Sequence, residues 1–72
     1  MTQDDLQKLI GRNIRIIREQ KKVSAQELAS RCNMEKSNMS RLEAGNTNPT
    51  IATLYKISLA LGVPLEEIIA GT

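Results

Sequence analysis

The stretch Ser24 to Gly45, SAQELASRCNMEKSNMSRLEAG, restricts what this chain can fold into more than any other. It reads as two short helices joined by a tight bend at Arg31-Cys32-Asn33-Met34. Ser24 and Glu27 have the S-x-x-E spacing of a capping box, which starts the first helix at Ala25 and carries it over 25–32. Leu28, Ala29 and Cys32 then share one buried stripe. Asn33 stands where the chain must turn, and Asn tolerates the left-handed conformation better than most residues. The second helix covers 36–44, and Gly45 stops it. At roughly 100° per residue, Met39 and Leu42 point inward while Ser37, Ser40, Arg41 and Ala44 gather on the opposite side. Three of those four are small, so another surface can approach the helix backbone around the planar donor Arg41, with Lys36 at the helix start. Such a face suits a DNA major groove.

The flanking segments supply a support for that pair. Leu6, Leu9, Ile10, Ile14 and Ile17 repeat at helical spacing over 4–21, with Asp4 and Asp5 in the first turn and Lys21 in the last, in agreement with the helix dipole. Ile16 lies off this stripe. Lys22 takes a helix-ending place where Gly would be easier. After the turn Asn46-Thr47-Asn48-Pro49, Thr50 caps a helix over 51–61 whose inward stripe is Ile51, Leu54, Ile57 and Leu61. Gly62 ends it. Pro64 opens a fifth helix over 64–70, with Glu66 and Glu67 near its N-terminus and Leu65, Ile68 and Ile69 as its apolar residues. No strand pattern, repeat or low-complexity segment interrupts this all-α, five-helix order.

Composition narrows the class further. Seventy-two residues make one domain, and with one Tyr, no Phe and no Trp its core has to be aliphatic. The net charge of +2 says little, but its placement says more. Six cations (Lys8, Arg12, Arg15, Arg18, Lys21, Lys22) stand between Leu6 and Lys22 against Glu19 alone, a distribution that fits a polyanionic partner. A single Cys fits a reducing compartment, no apolar run approaches a membrane span, and MTQDDLQK is not a secretion signal. The expected location is cytoplasmic, without membrane association. With no His anywhere, His–Cys metal sites and Ser–His or Cys–His catalysis are excluded within the chain. Cys32, Met34 and Met39 read as core fillers. The pairs Asp4/Asp5 and Glu66/Glu67 read as helix-start charges, and no Gly-rich phosphate loop appears. No enzyme activity, cofactor or metal is expected.

The segments IGRNIRIIREQKKVS, QELASRCNMEKSNMSRLEAG and NPTIATLYKISLALGVPLEEII, in this order and spacing, resemble the phage-repressor/Cro (XRE-like) helix-turn-helix family over about Ile10 to Ile69. The features that carry the likeness are Arg18, Glu43 with Gly45, Asn48-Pro49 and the ALGV before the fifth helix. The resemblance implies a lambda-repressor-like fold and a dimeric DNA-binding regulator of bacterial, phage or mobile-element origin. It implies base contacts from Lys36, Ser37 and Arg41, with Asn38 near a base or the backbone and Ser40 on the same face. It also implies phosphate contacts along Asn46, Thr47 and Asn48 and from Gln26, and an ion pair between Arg18 and Glu43. Arg12 and Arg15 are further phosphate candidates by their charge. Candidate apolar area for a homodimer comes from Tyr55, Leu59, Leu65, Ile68 and Ile69. Two positions depart from the family pattern: Ala25 stands where Gln usually opens the second helix, and Glu35 replaces a Ser or Thr cap. With the modest net charge, they favour the alternative of an antitoxin- or adaptor-like module that binds a protein partner on the same scaffold.

Overall fold

Four of the five helices stop in the same way, and those stops set the path of the chain. The computed structural model describes residues 1–72, with α1 at Gln3–Gln20, α2 at Ala25–Arg31, α3 at Lys36–Glu43, α4 at Ile51–Leu61 and α5 at Leu65–Ile68. Lys22 and Asn33, both at φ 56°, and Gly45 and Gly62, at φ 80° and 71°, follow α1 to α4 in left-handed conformations. Each stop closes with a pair of backbone bonds. After α1, Lys22 N–H donates to Glu19 O and Val23 N–H to Arg18 O; after α2, Asn33 donates to Ser30 O and Met34 to Ala29 O. Gly45 to Leu42 O and Asn46 to Arg41 O repeat the pattern after α3, and Gly62 to Leu59 O and Val63 to Ser58 O after α4. This is the Schellman arrangement, which satisfies the last carbonyls and reverses the chain within two residues. Lys22 and Asn33 adopt it without a glycine's freedom, at a strain of roughly 1 kcal/mol for the lysine.

The starts differ in detail from the sequence reading. α1 begins before Asp4 because Thr2 caps it: Thr2 Oγ1 accepts from Asp5 N–H, and Asp5 Oδ2 accepts from Thr2 N–H, both at 3.2 Å. At α2 only half of the Ser24–Glu27 box forms. Ser24 Oγ accepts from Glu27 N–H at 3.0 Å, while the Glu27 carboxylate turns to Arg31 at 3.2 Å. Cys32 and Ala44 lie just outside α2 and α3 as their C-caps. α5 is one turn, not the seven residues of 64–70. Pro64 is its N-cap in an extended conformation (φ −69°, ψ 152°), and the chain leaves the helix at Ile69.

The core is aliphatic and draws on every helix: Ile10 and Ile14 from α1, Val23, Leu28, Ala29 and Cys32 around α2, Met39 and Leu42 from α3, Leu54, Ile57 and Leu61 from α4, and Ile68 from α5. Ile51 is a correction. Its spacing puts it on the buried stripe of α4, but it is 76% exposed, because it sits in the first turn at the edge of that stripe, on the rim of an open groove it shares with Gln3, Leu6 and Ile10 of α1. Asn13 donates through Nδ2 to Ile68 O (3.0 Å) and Ala70 O (2.9 Å), so α1 ties down the carbonyl end of α5. A one-turn helix has few bonds of its own, and this long-range amide supplies the partners its terminus lacks.

Cys32 is fully enclosed, and burial raises its thiol pKa above the ordinary value despite a small opposing effect from the Lys56 charge. Thiol reagents are therefore expected to react with the folded chain only as fast as it opens, and labelling should accelerate with denaturant in step with unfolding. A raised thiol pKa means the folded state holds its proton longer. Its contribution to stability is present below about pH 8.5 and declines as pH rises beyond that value. Rapid labelling of the native chain at neutral pH would contradict this placement.

Candidate nucleic-acid interface

Two buried residues orient α3. Met39 is fully enclosed and Leu42 is 4% exposed, and between them they turn Lys36, Ser37, Asn38, Ser40, Arg41 and Ala44 to solvent. No other part of the chain covers this face. Arg41 forms no ion pair; its guanidinium Nη2 donates to the Asn38 side-chain oxygen one turn earlier. The helix opens without a side-chain cap, since Glu35 makes no bond to the first-turn N–H groups. Its carboxylate stands on a shallow polar groove shared with Gln26, Ser30, Asn33 and Lys36, where α2 and α3 meet.

Three devices on α1 hold α3 at its pitch. Arg18 grips Glu43 with the two donors of one edge of its guanidinium, Nε to Oε2 at 2.7 Å and Nη2 to Oε1 at 3.0 Å, and Nη1 donates to Val23 O at 2.9 Å. The two side chains are only 12% and 9% exposed. The bond to Glu43 raises the Arg18 pKa above its ordinary value, with desolvation working against it. Next, Gly11 lets the backbones touch. A Cβ at Gly11 would lie against the Leu42 carbonyl oxygen and 2.6 Å from that of Glu43. Finally, Gln7, with its amide nitrogen turned to the loop, donates to Gly45 O at 3.2 Å and Thr47 O at 3.1 Å and accepts from Gln3 at 3.0 Å. The loop after α3 is thus pinned to α1 with Asn46 and Asn48 exposed and Thr47 half-buried.

Around this face the structure sorts the remaining candidates. Gln26 is exposed beside the start of α3. Arg12 is exposed on α1 and shares a helix face with Lys8, which lies against Gly45, and with Arg15. Arg15 lines a groove with Ala25, Ser40 and Ala44, which brings it closer to the outer side of α3 than its sequence position indicates. Its pair with Glu19, at 3.5 Å between two largely exposed side chains, leaves it available. Of the apolar residues set aside for a dimer, Tyr55 and Leu59 are 54% and 63% exposed. Leu65 and Ile69 are partly buried against the core. Ile68 is corrected: it is fully enclosed within the single chain, because α5 packs its one inward position between α1 and α4. Ile51 is exposed instead, one turn before Tyr55 on the same side of α4.

Gln7, Gly11 and Asn13 were not singled out as site or scaffold residues from the sequence. Only Gly11 left a local trace, as a glycine inside an otherwise regular helical pattern. No cluster of three or more His, Cys, Asp or Glu has metal-binding geometry, and no helix is long and apolar enough to cross a membrane.

Comparison with known proteins agrees with this geometry. The helix-turn-helix family profile matches residues 14–68. An uncharacterized HTH-type transcriptional regulator, y4dJ, of Sinorhizobium fredii is 37% identical over 68 residues, covering 94% of this chain and 88% of that protein. The immunity repressor protein of Bacillus phage phi105 is 30% identical over 60 residues. That match covers 83% of this chain but only 42% of the repressor. Among solved structures, the biofilm master regulator SinR in complex with DNA superimposes with a TM-score of 0.76 at 37% identity, over 82% of this chain and 95% of that one. With α2 and α3 packed as a bent pair, α3 bare on its outer side, and these relatives matching across most of the fold, the chain belongs to the XRE-type helix-turn-helix family of DNA-binding transcription regulators.

Proposed function

We propose that the chain represses transcription as a homodimer whose two copies of α3 enter successive major grooves of one operator. The observation that carries this reading is the bare face of α3, with five polar side chains (Lys36, Ser37, Asn38, Ser40, Arg41) displayed from a helix locked by Met39, Leu42 and the Arg18–Glu43 pair. Lys36, Ser37 and Arg41 face base edges, with Asn38 and Ser40 beside them. Gln26, Asn46, Thr47, Asn48 and Arg12 lie along the phosphates, and Arg15 joins them. One α3 spans too few base pairs for a useful specificity ratio, which is the reason for a dimer reading half-sites about 34–36 Å apart. The exposed face of Tyr55 and Leu59, extended by Ile51 and flanked by Leu65 and Ile69, supplies the apolar area for that contact. The relatives lend support, since one is a phage immunity repressor and another was solved bound to DNA.

Selection of bound duplexes from a random pool tests this directly. The expected product is a two-fold symmetric motif with half-sites about one helical turn apart. Arg41→Ala should then erase base preference at one position in each half, a loss of about 1–3 kcal/mol per contact. Equal weakening on selected and random DNA would make Arg41 a phosphate contact only. A motif without symmetry would remove the homodimer.

A further inference from the structure

The bond between Asn38 and Arg41 bears on which base this face reads. Asn38 Oδ1 accepts from Arg41 Nη2 across one turn of α3, and both residues are otherwise exposed. Reading adenine with an asparagine takes both ends of the amide: Nδ2 donates to N7, and Oδ1 accepts from the N6 amino group. Here one of the two lone pairs of that oxygen is already taken by Arg41, so an adenine amino group would have to share it with the guanidinium. Arg41 keeps four of its five N–H groups free, and the bond favours one orientation of its long side chain. The two carboxylates nearest in sequence do not change this balance. Glu43 is taken by Arg18, and Glu35 lies at the far end of the helix, on the groove with Gln26.

We infer that Asn38 is a positioning residue for Arg41, and that the pair acts as one donor unit specifying guanine, through O6 and N7, in each half-site. This deepens the DNA-binding reading above and rests on it. Restricting the arginine before contact lowers the entropy lost on binding, so the effect falls on base discrimination at the Arg41 position.

The test repeats the random-pool selection with Asn38→Ala and Asn38→Asp beside the unsubstituted chain, and follows urea unfolding of each. The unsubstituted chain should return a guanine that Arg41→Ala makes indifferent. Asn38→Ala should narrow the guanine-over-adenine preference at that same position by about two- to tenfold, the range of one net hydrogen bond. Its urea midpoint should stay unchanged, because both side chains are exposed. Asn38→Asp keeps an acceptor oxygen in place and should retain the guanine preference while weakening binding to all duplexes through its added negative charge. The inference is overturned if Asn38→Ala leaves that guanine untouched and instead abolishes an adenine at a neighbouring position. It is equally overturned if the Ala and Asp variants lose the guanine alike. A pool that returns no motif for the unsubstituted chain removes the DNA-reading role of α3 and the inference with it. A motif whose guanine ignores Asn38 removes the inference alone.

Discussion

Arg18→Ala is expected to lower the unfolding free energy by about 3–5 kcal/mol, because it leaves the Glu43 carboxylate enclosed without its cation. For a chain of 72 residues, whose total stability should be roughly 4–11 kcal/mol, that is a large share. Geometry puts the pair in the costly class. Two bonds at 2.7 and 3.0 Å join side chains that are 12% and 9% exposed, and a third bond to Val23 O at 2.9 Å is lost with the guanidinium. Arg18→Lys should recover little of this, since an ammonium cannot span both carboxylate oxygens and the Val23 carbonyl together. Replacing both partners with apolar residues should cost much less than either single change, because no charge is then left buried. The pair also has a defined pH sense. A raised arginine pKa means the guanidinium's share of the pair is lost only as pH climbs beyond the ordinary arginine value, so alkaline titration over the accessible range should leave it intact. Urea denaturation of the three variants measures all of this. A loss under about 1 kcal/mol for Arg18→Ala would mean the pair behaves as a solvated surface bridge.

Gly11→Ala comes next, and here local and tertiary physics give opposite signs. By helix propensity alone, alanine in the middle of α1 should stabilise the chain by about 1 kcal/mol. The new methyl, however, would sit 2.6 Å from Glu43 O and 2.9 Å from Glu43 C, as well as against Leu42 O. These are backbone atoms at the end of α3, so no side chain can rotate away to make room. Overpacking of this kind is expected to reverse the sign, with a net destabilisation of about 1–3 kcal/mol. The same methyl would push the end of α3 off α1. Specific DNA binding should therefore fall by more than the stability loss explains when both are measured at a temperature where the variant is fully folded. A variant as stable as the parent, or more so, would show that α1 and α3 do not approach as closely as described.

A feature of this fold is legible in the sequence according to how close together its deciding atoms lie along the chain. The bend between α2 and α3 was legible because its signals are local. Ser24 caps within three residues, Asn33 takes the left-handed turn at its own position, and Met39 and Leu42 orient α3 by spacing alone. Even so, neighbouring side chains can redirect a local signal. Glu27 fits a capping box, yet it bonds to Arg31 four residues on. Thr2 and Asp5 form a box that periodicity in Leu and Ile did not reveal. Ile51 has the spacing of the α4 stripe but lies at its edge, in the first turn, and stays exposed.

By itself, the sequence determined the helical order, the aliphatic interior, the places where four helices reverse, and the outward set of polar residues on α3. Each of these follows from caps, period and backbone preference acting within a turn or two. Only the tertiary structure decided how that outward face is held and what it can offer. Gln7 fastens a loop about 40 residues away, Gly11 admits the backbone of α3, Asn13 closes α5 across 57 residues, and Ile68 is drawn inside while Ile51 is left out. Such contacts depend on where distant segments meet, and no pattern within one helix encodes its partner's atoms.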